Sequence, residues 1–358
     1  MIVMKTWISS WRQVMWALAL AVVLARGAAA QSRPAETPTF QQRAAAKIAE
    51  FESAHKAVAG VSVVDVRTGK PLVAFRANEL RSPASNQKLL TSAFALARLG
   101  GDFRFVTRVY LAGQDVVVLG DYDPTTGDPV LAEQAQKTVY DEPDRWAQAV
   151  KAQTQGVRNV YVIVRRDHEA FRHPDWPGGQ HDKWYAAPVA SLNFNNNCFD
   201  VTWAVETGAA VPTLTPSAAG IRVDNQVRVG PRHVWRLTTN ADDSVVTLTG
   251  TIARGSSDPL SAAVNDPPLL LGRVLADRIA RAGVTVAGGA VAIDRERVVI
   301  KPEAQPLCQT VTPLADAMAR ANKRSLNMAA ECLFLRAGDG TWAGSAKLMS
   351  ETLAKEFA

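Results

Sequence analysis

Cysteine is scarce: Cys198, Cys308 and Cys332 are the only three in 358 residues. A small, odd number excludes a disulfide-stapled scaffold and leaves room for one bridge at most, whose pair the sequence does not choose. Cys332 falls in an apolar helical stretch and reads as a buried thiol. No glycine-rich phosphate loop occurs and no internal repeat, so nucleotide chemistry and solenoid architectures have no support. Charge of one sign is not in excess either. The formal charge is +6, but Lys5, Arg12 and Arg26 precede the first thirty residues' end, and without them the chain stands near +3. Nucleic acid is therefore not an expected partner. A mildly basic surface would suit an anionic polymer. The apolar run Val14 to Ala25 is about 12 residues, short of the roughly 20 a membrane helix needs.

That run has another reading. Lys5 and Arg12 give a basic start, and Ala28-Ala29-Ala30 stands before Gln31 as a small-residue cleavage site. Residues 1–30 are expected to be a secretory signal, with export to the periplasm or cell envelope. Arg26 is out of place in such a signal and leaves an uncleaved anchor as the lesser alternative.

The most informative segment is Ser82-Pro83-Ala84-Ser85-Asn86-Gln87-Lys88. Ser85 and Lys88 lie one helical turn apart, so their side chains share a face. An amine close to a hydroxyl can take its proton and make it a nucleophile near neutral pH. Pro83-Ala84 reads as a turn into a helix. Leu89 to Leu99 is nearly all apolar and stops at Gly100-Gly101, so the helix is expected to be buried all round. The spacing alone is weak, because Ser53-Ala54-His55-Lys56 repeats it in the polar, amphipathic stretch Ala44 to Lys56. Upstream, Gly60 to Phe75 reads as two strands joined by the turn Thr68-Gly69-Lys70, a hairpin feeding the serine helix.

A second hydroxyl–amide element is present twice, as Ser191-Leu192-Asn193 and Ser325-Leu326-Asn327. Context favours the later copy. Leu314 to Lys323 has helical spacing, and Asn327 to Leu335 restarts a helix. A polar turn between two apolar helices can aim Ser325 and Asn327 into a cleft, although Ser325 as an ordinary helix cap accounts for the local pattern equally.

Hairpin, Pro-Ala-Ser-x-x-Lys turn and apolar helix together resemble the penicillin-interacting enzymes, penicillin-binding proteins and serine β-lactamases. Met318 to Glu331, Gly60 to Asp65, Trp184 to Cys198 and Asp258 to Gly288 resemble one subgroup more closely. It is the D-alanyl-D-alanine carboxypeptidase/endopeptidase family, or class C low-molecular-mass penicillin-binding proteins. The resemblance covers the chain from about Arg43 onward. It implies an α+β fold: a penicillin-binding-protein/β-lactamase-like transpeptidase domain with an incomplete sheet and inserted β-rich domains. It implies Ser85 as the acylated nucleophile, Lys88 as its base, Ser325 as a proton relay, and Asn327 as the partner of Lys88 and of the substrate's peptide group. Peptidoglycan stem peptides would be the substrate and β-lactam antibiotics covalent inhibitors, with no cofactor and no metal.

The family's third element, a Lys-Thr-Gly strand, is absent. Arg67-Thr68-Gly69 comes nearest but sits in the hairpin turn. The expectation is a chain truncated before that strand and impaired, since losing one oxyanion donor costs about 10²- to 10³-fold in rate. A non-catalytic peptidoglycan-binding or scaffolding relic is the alternative. The expected division is 1–30 signal, 31–101 first part of the transpeptidase-like domain, 102–300 inserted β-rich material and 301–358 helical return. Within the insert, strands are expected at Phe105–Leu111, Val116–Leu119, Val160–Val164, Cys198–Val205, Val245–Ile252 and Ala290–Ile293, and one amphipathic helix at Leu269–Ala282. Gly120-Asp121-Tyr122-Asp123-Pro124 and Gly127-Asp128-Pro129 read as turns without a catalytic role. The stretch Asp167-His168 to His181-Asp182, with His173 and Asp175, has metal-binding residue types, but its irregular Pro/Gly-rich spacing reads as a surface loop.

Overall fold

The computed structural model describes residues 38–164, 171–294, 300 and 304–357. The expected signal at 1–30 and the pair Asp167-His168 lie outside the described residues. The chain divides into two compact units, one ending at Ser82 and one beginning at Pro83.

In the first unit, helix α1 (Phe40–His55) opens with a capping box: the Thr39 side chain accepts the Gln42 N–H, and Gln42 accepts the Thr39 N–H. None of its residues is buried. The Ser53/Lys56 repeat of the spacing therefore faces solvent. Strands β1 (Val61–Val64) and β2 (Pro71–Phe75) pair antiparallel as the expected hairpin. The carboxylate of Asp65 caps its turn by accepting the N–H groups of Arg67 and Thr68.

The second unit runs α2 (Gln87–Leu99), β3 (Arg104–Ala112), β4 (Asp115–Leu119), α3 (Pro129–Gln134), α4 (Asp141–Lys151) and β5 (Gly156–Val164). It continues with β6 (Cys198–Glu206), β7 (Ala209–Thr215), β8 (Arg222–Asn225), β9 (Arg228–Val229), β10 (Val234–Thr239), β11 (Val245–Ile252) and β12 (Ser256–Ala263). It closes with α5 (Pro267–Arg281), β13 (Thr285–Asp294), β14 (Cys308–Pro313), α6 (Leu314–Lys323), α7 (Asn327–Ala337) and α8 (Trp342–Phe357). Every strand and helix read from the sequence in this part is found, within a few residues at each end.

One five-stranded sheet, in the order β13-β5-β4-β3-β14, organises the unit. Its β4–β5 and β5–β13 pairs are parallel, and β3–β4 and β3–β14 are antiparallel. Helices α4 and α5 cover a Val-rich face, with Trp146, Leu270, Leu271 and Val274 fully buried against Val116, Val118, Val160 and Val162. Smaller sheets follow, β12-β6-β7 and β10-β11-β8, with β9 also on β11.

The pairing of β14 with β3 positions everything that matters below. β3 leaves the C-terminal end of α2, and β14 leads into α6. Their register sets Pro313 opposite Arg104, and the Leu314 N–H bonds the Phe103 carbonyl. Two motifs far apart in sequence are thereby delivered to one place. There α2, α6, α7 and α8 form a second core around Phe94, Ala317, Ala321, Ala329 and Leu333.

Helix α2 departs from expectation. It is not buried all round: Leu89, Leu90 and Leu96 are exposed, at 59%, 46% and 43%. The buried stripe instead carries Lys88, Thr91, Ser92, Phe94 and Ala95. Polar groups face inward and leucines outward. Helical period, not total hydrophobicity, decided the buried face, because α6 and α7 offer polar partners on that side.

Candidate active site

Ser85 sits in a short 3-10 turn, Ala84–Asn86, that runs directly into α2. Ala84 holds φ of +45°, and Ser325 holds +55°. Neither is glycine, and such backbone costs on the order of 1–3 kcal/mol unless its surroundings impose it. Two of the eleven non-glycine residues with positive φ among the described residues thus flank or form the two serines that the sequence singled out.

Lys88 joins them. Its Nζ donates to Asn327 Oδ1 at 2.6 Å, and lies 3.2 Å from Ser85 Oγ and 3.4 Å from Ser325 Oγ. Lys88 and Ser325 are 237 positions apart in sequence. All four residues predicted to carry chemistry meet around one amine. Burial lowers the Lys88 pKa, opposed by the nearby Glu331 carboxylate. A desolvated amine yields its proton more readily and is a better base at neutral pH. Asn327 is oriented from both ends: its oxygen takes the Lys88 amine, and its Nδ2 donates to the Tyr185 carbonyl at 2.7 Å. One amide hydrogen of Asn327 remains for a ligand.

Ser85, Lys88 and Asn327 line a cavity of about 470 Å³ together with Trp176, Glu331 and Trp342. Glu331 went unassigned in the sequence. It lies one helical turn beyond Asn327 on α7 and accepts the Trp176 indole N–H at 2.9 Å. Burial pushes its carboxyl up to about 7, partly offset by Trp176, Lys88 and Arg172. The i, i+4 spacing to Asn327 was the available signal, since it places both on one face.

The supporting residues were also missed. Arg320, in the last turn of α6, forms a buried ion pair with Asp128 at 2.6 Å. Arg336 on α7 pairs with Asp121 at 2.6 Å. Asp123 accepts from Thr125 and Thr312, and burial raises its pKa. The aspartates read as turn chemistry thus clamp the two helices that bracket Ser325. The Asn322 amide adds a bond to Ser92 Oγ at 2.9 Å, tying α6 to α2.

The other Ser-Leu-Asn copy has a structural place. Ser191 Oγ donates to the Ile163 carbonyl. Asn193 accepts the Ala190 N–H and donates to the Ala190 and Asp123 carbonyls. His173 lines the Ser85 cavity, its ring 5.2 Å from Trp342. His181 Nε2 bonds the Trp176 carbonyl. Cys198, Cys308 and Cys332 are free thiols, and Cys332 is buried as expected. Among the described residues, no helix is long and apolar enough to cross a membrane.

Comparison with known proteins points one way. Residues 41–357 match the family described as D-Ala-D-Ala carboxypeptidase 3 (S13). A D-alanyl-D-alanine carboxypeptidase from an Actinomadura strain is 29% identical over 334 residues, covering 82% of this chain. The chain spans 57% of that relative's length. The crystal structure of penicillin binding protein 4 from Haemophilus influenzae superposes with a TM-score of 0.66 at 17% identity, covering 87% of this chain and 70% of that one. The same protein complexed with a novel β-lactam gives 0.57 at 18% identity, covering 83% and 66%. At these identities the superpositions establish the fold, an α+β arrangement like that of penicillin-binding proteins.

Proposed function

The chain belongs to the D-Ala-D-Ala carboxypeptidase 3 (S13) family, and on that premise we propose that it is an exported serine-type carboxypeptidase or endopeptidase of peptidoglycan stem peptides. The observation that carries the reading is the convergence of Ser85, Ser325 and Asn327 on the Lys88 amine. The non-catalytic alternative gives no reason for that convergence.

Lys88, as the free amine, takes the proton of Ser85 Oγ. The oxygen attacks the carbonyl of the penultimate D-alanine, and the C–N bond to the terminal residue breaks. Ser325, in reach of Lys88, passes a proton to the departing amine. The product is an ester on Ser85, and water returns the enzyme by the reverse proton path. Asn327 fixes Lys88 and offers its remaining amide hydrogen to the substrate's peptide carbonyl. A β-lactam would acylate Ser85 by the same attack and stay attached. One oxyanion donor is expected from the Ser85 N–H. A second donor would come from a Lys-Thr-Gly strand, a tripeptide these 358 residues do not contain.

Glu331 modulates the base. Its ionised carboxylate favours the Lys88 ammonium, and its neutral form releases that hold. Release of D-alanine from an N-acylated D-Ala-D-Ala peptide tests the proposal. Turnover should vanish in Ser85→Ala, and turnover that persists in that variant would overturn it.

A further inference from the structure

The acylation chemistry leaves a second, larger cleft unused. It measures about 830 Å³ and lies between β10 and β12, each an edge strand of its own sheet. Three indoles line it. Trp184 is 48% exposed, Trp235 is half-buried, and Trp203 stands behind Trp235 with ring centroids 5.0 Å apart and planes at 79°. The Trp203 indole N–H is buried and has no hydrogen-bond partner among the described residues.

Strand β12 is irregular at this point. Its register with β6 shifts between Ser256 and Leu260. Asp258, Pro259 and Leu260 consequently all line the cleft, where a regular strand would turn alternate residues away. The charges nearly balance. Asp182 and Lys183 pair with each other at 2.9 Å, leaving Arg236 and Asp258 with opposite signs. His233 accepts the Trp235 indole N–H. The walls thus combine flat apolar faces with exposed hydrogen-bonding groups and no dominant charge.

A saccharide matches that combination. A pyranose carries C–H groups on its faces and hydroxyls around its rim. The C–H face is attracted to the electron-rich face of an indole, and the hydroxyls can bond Arg236 and Asp258. The volume lies in the range of ordinary ligand sites and holds more than one sugar ring. An anionic polymer would call for unpaired cations. A peptide added as a strand to β12 would need a free backbone edge, but that edge is partly taken: Lys183 bridges to Ala262, and the Ala263 N–H bonds the Asp182 carbonyl.

The cleft is joined to the catalytic cavity through one short turn, Trp184–Ala186. Trp184 lines the cleft, and the next carbonyl, of Tyr185, holds Asn327. The Trp184 and Tyr185 rings meet edge-on at 5.8 Å, and Tyr185 lies 6.4 Å from Trp176 in the cavity wall. We propose that the cleft between β10 and β12 binds the glycan strand of peptidoglycan, seating amino sugars on Trp184 and Trp235 while the attached stem peptide reaches Ser85. The choice of polymer rests on the function proposed above, but the binding itself does not require turnover.

Calorimetric titration of the whole chain with chitotetraose, a peptide-free β-1,4-linked amino sugar, tests this. Saturable binding is expected, weakened at least tenfold in Trp235→Ala and in Trp235→Leu. Leucine keeps apolar packing on Trp203 without offering a flat face, so its loss of binding in a folded protein is informative even where alanine unfolds β10. Acylation by penicillin should be unchanged in both. No saturable binding, equal binding by Trp235→Leu, or displacement of the sugar by a sugar-free stem peptide would overturn the inference. A chain that is acylated but binds no sugar refutes the cleft alone. One that binds sugar without acylation refutes the catalytic reading alone.

Discussion

Ser-Leu-Asn occurs twice in this chain, and the two copies have opposite fates. In Ser191-Leu192-Asn193 both polar side chains are 2% exposed and bond backbone groups of Ala190, Ile163 and Asp123. In Ser325-Leu326-Asn327 the same side chains meet Lys88, brought from another part of the chain. The first copy ties its own loop to the backbone of Ile163 and Asp123. In the second, Ser325 has a left-handed backbone between two clamped helices and spends its polarity on a partner 237 positions away. A tripeptide acquires chemistry from what faces it, not from its composition.

Removing that partner should erase the distinction. Lys88→Ala should slow acylation by about 10²- to 10⁴-fold, the span of general-base catalysis, while leaving the fold intact; stopped-flow acylation with circular dichroism checks both. Asn327→Ala should cost about 10²- to 10³-fold in rate, comparable to losing one hydrogen-bond donor to the transition state, with little change in stability. Arg320→Ala attacks the clamp instead. It strands the Asp128 carboxylate in the interior and should destabilise the protein by about 3–5 kcal/mol in urea unfolding. Asn193→Ala is the mirror of Asn327→Ala: about 1–3 kcal/mol of stability should go, with the acylation rate of the folded protein unchanged. Equal rate losses in the two asparagine variants would abolish the contrast.

The smallest effect is a pH shift. Acylation should rise with pH as Lys88 gives up its proton. The Glu331 carboxylate favours the ammonium, so Glu331→Gln should move that rise to lower pH. The same residue leaves a trace in stability. Its carboxyl is raised from an ordinary 4.5 to about 7 on folding. The native state thus holds a proton that the unfolded chain releases, and stability falls as pH climbs between those values. Glu331→Gln should flatten that slope, measured as melting temperature against pH.

Much of this was legible beforehand. The Ser85 turn, α6 and α7 were readable because helical periodicity is local, and the short strands because their β-branched runs are bounded by turns. The role of Asp121, Asp123 and Asp128 was not. Turn residues look alike in sequence whether they face water or a buried arginine, and only the β3–β14 pairing brings Arg320 to Asp128. The leucines of α2 misled for a related reason: apolar count suggested burial on all sides, while the period placed Lys88, Thr91 and Ser92 inward. Glu331 was hidden because its meaning depends on Trp176, which arrives from a distant loop.

One experiment bears on the whole reading. The chain is incubated with a fluorescent penicillin and digested, and the adduct is located by mass spectrometry. The adduct should sit on Ser85, form more slowly in Lys88→Ala, and form normally in Ser191→Ala. Labelling that survives Ser85→Ala, or that settles on Ser191, would refute the assignment of the nucleophile.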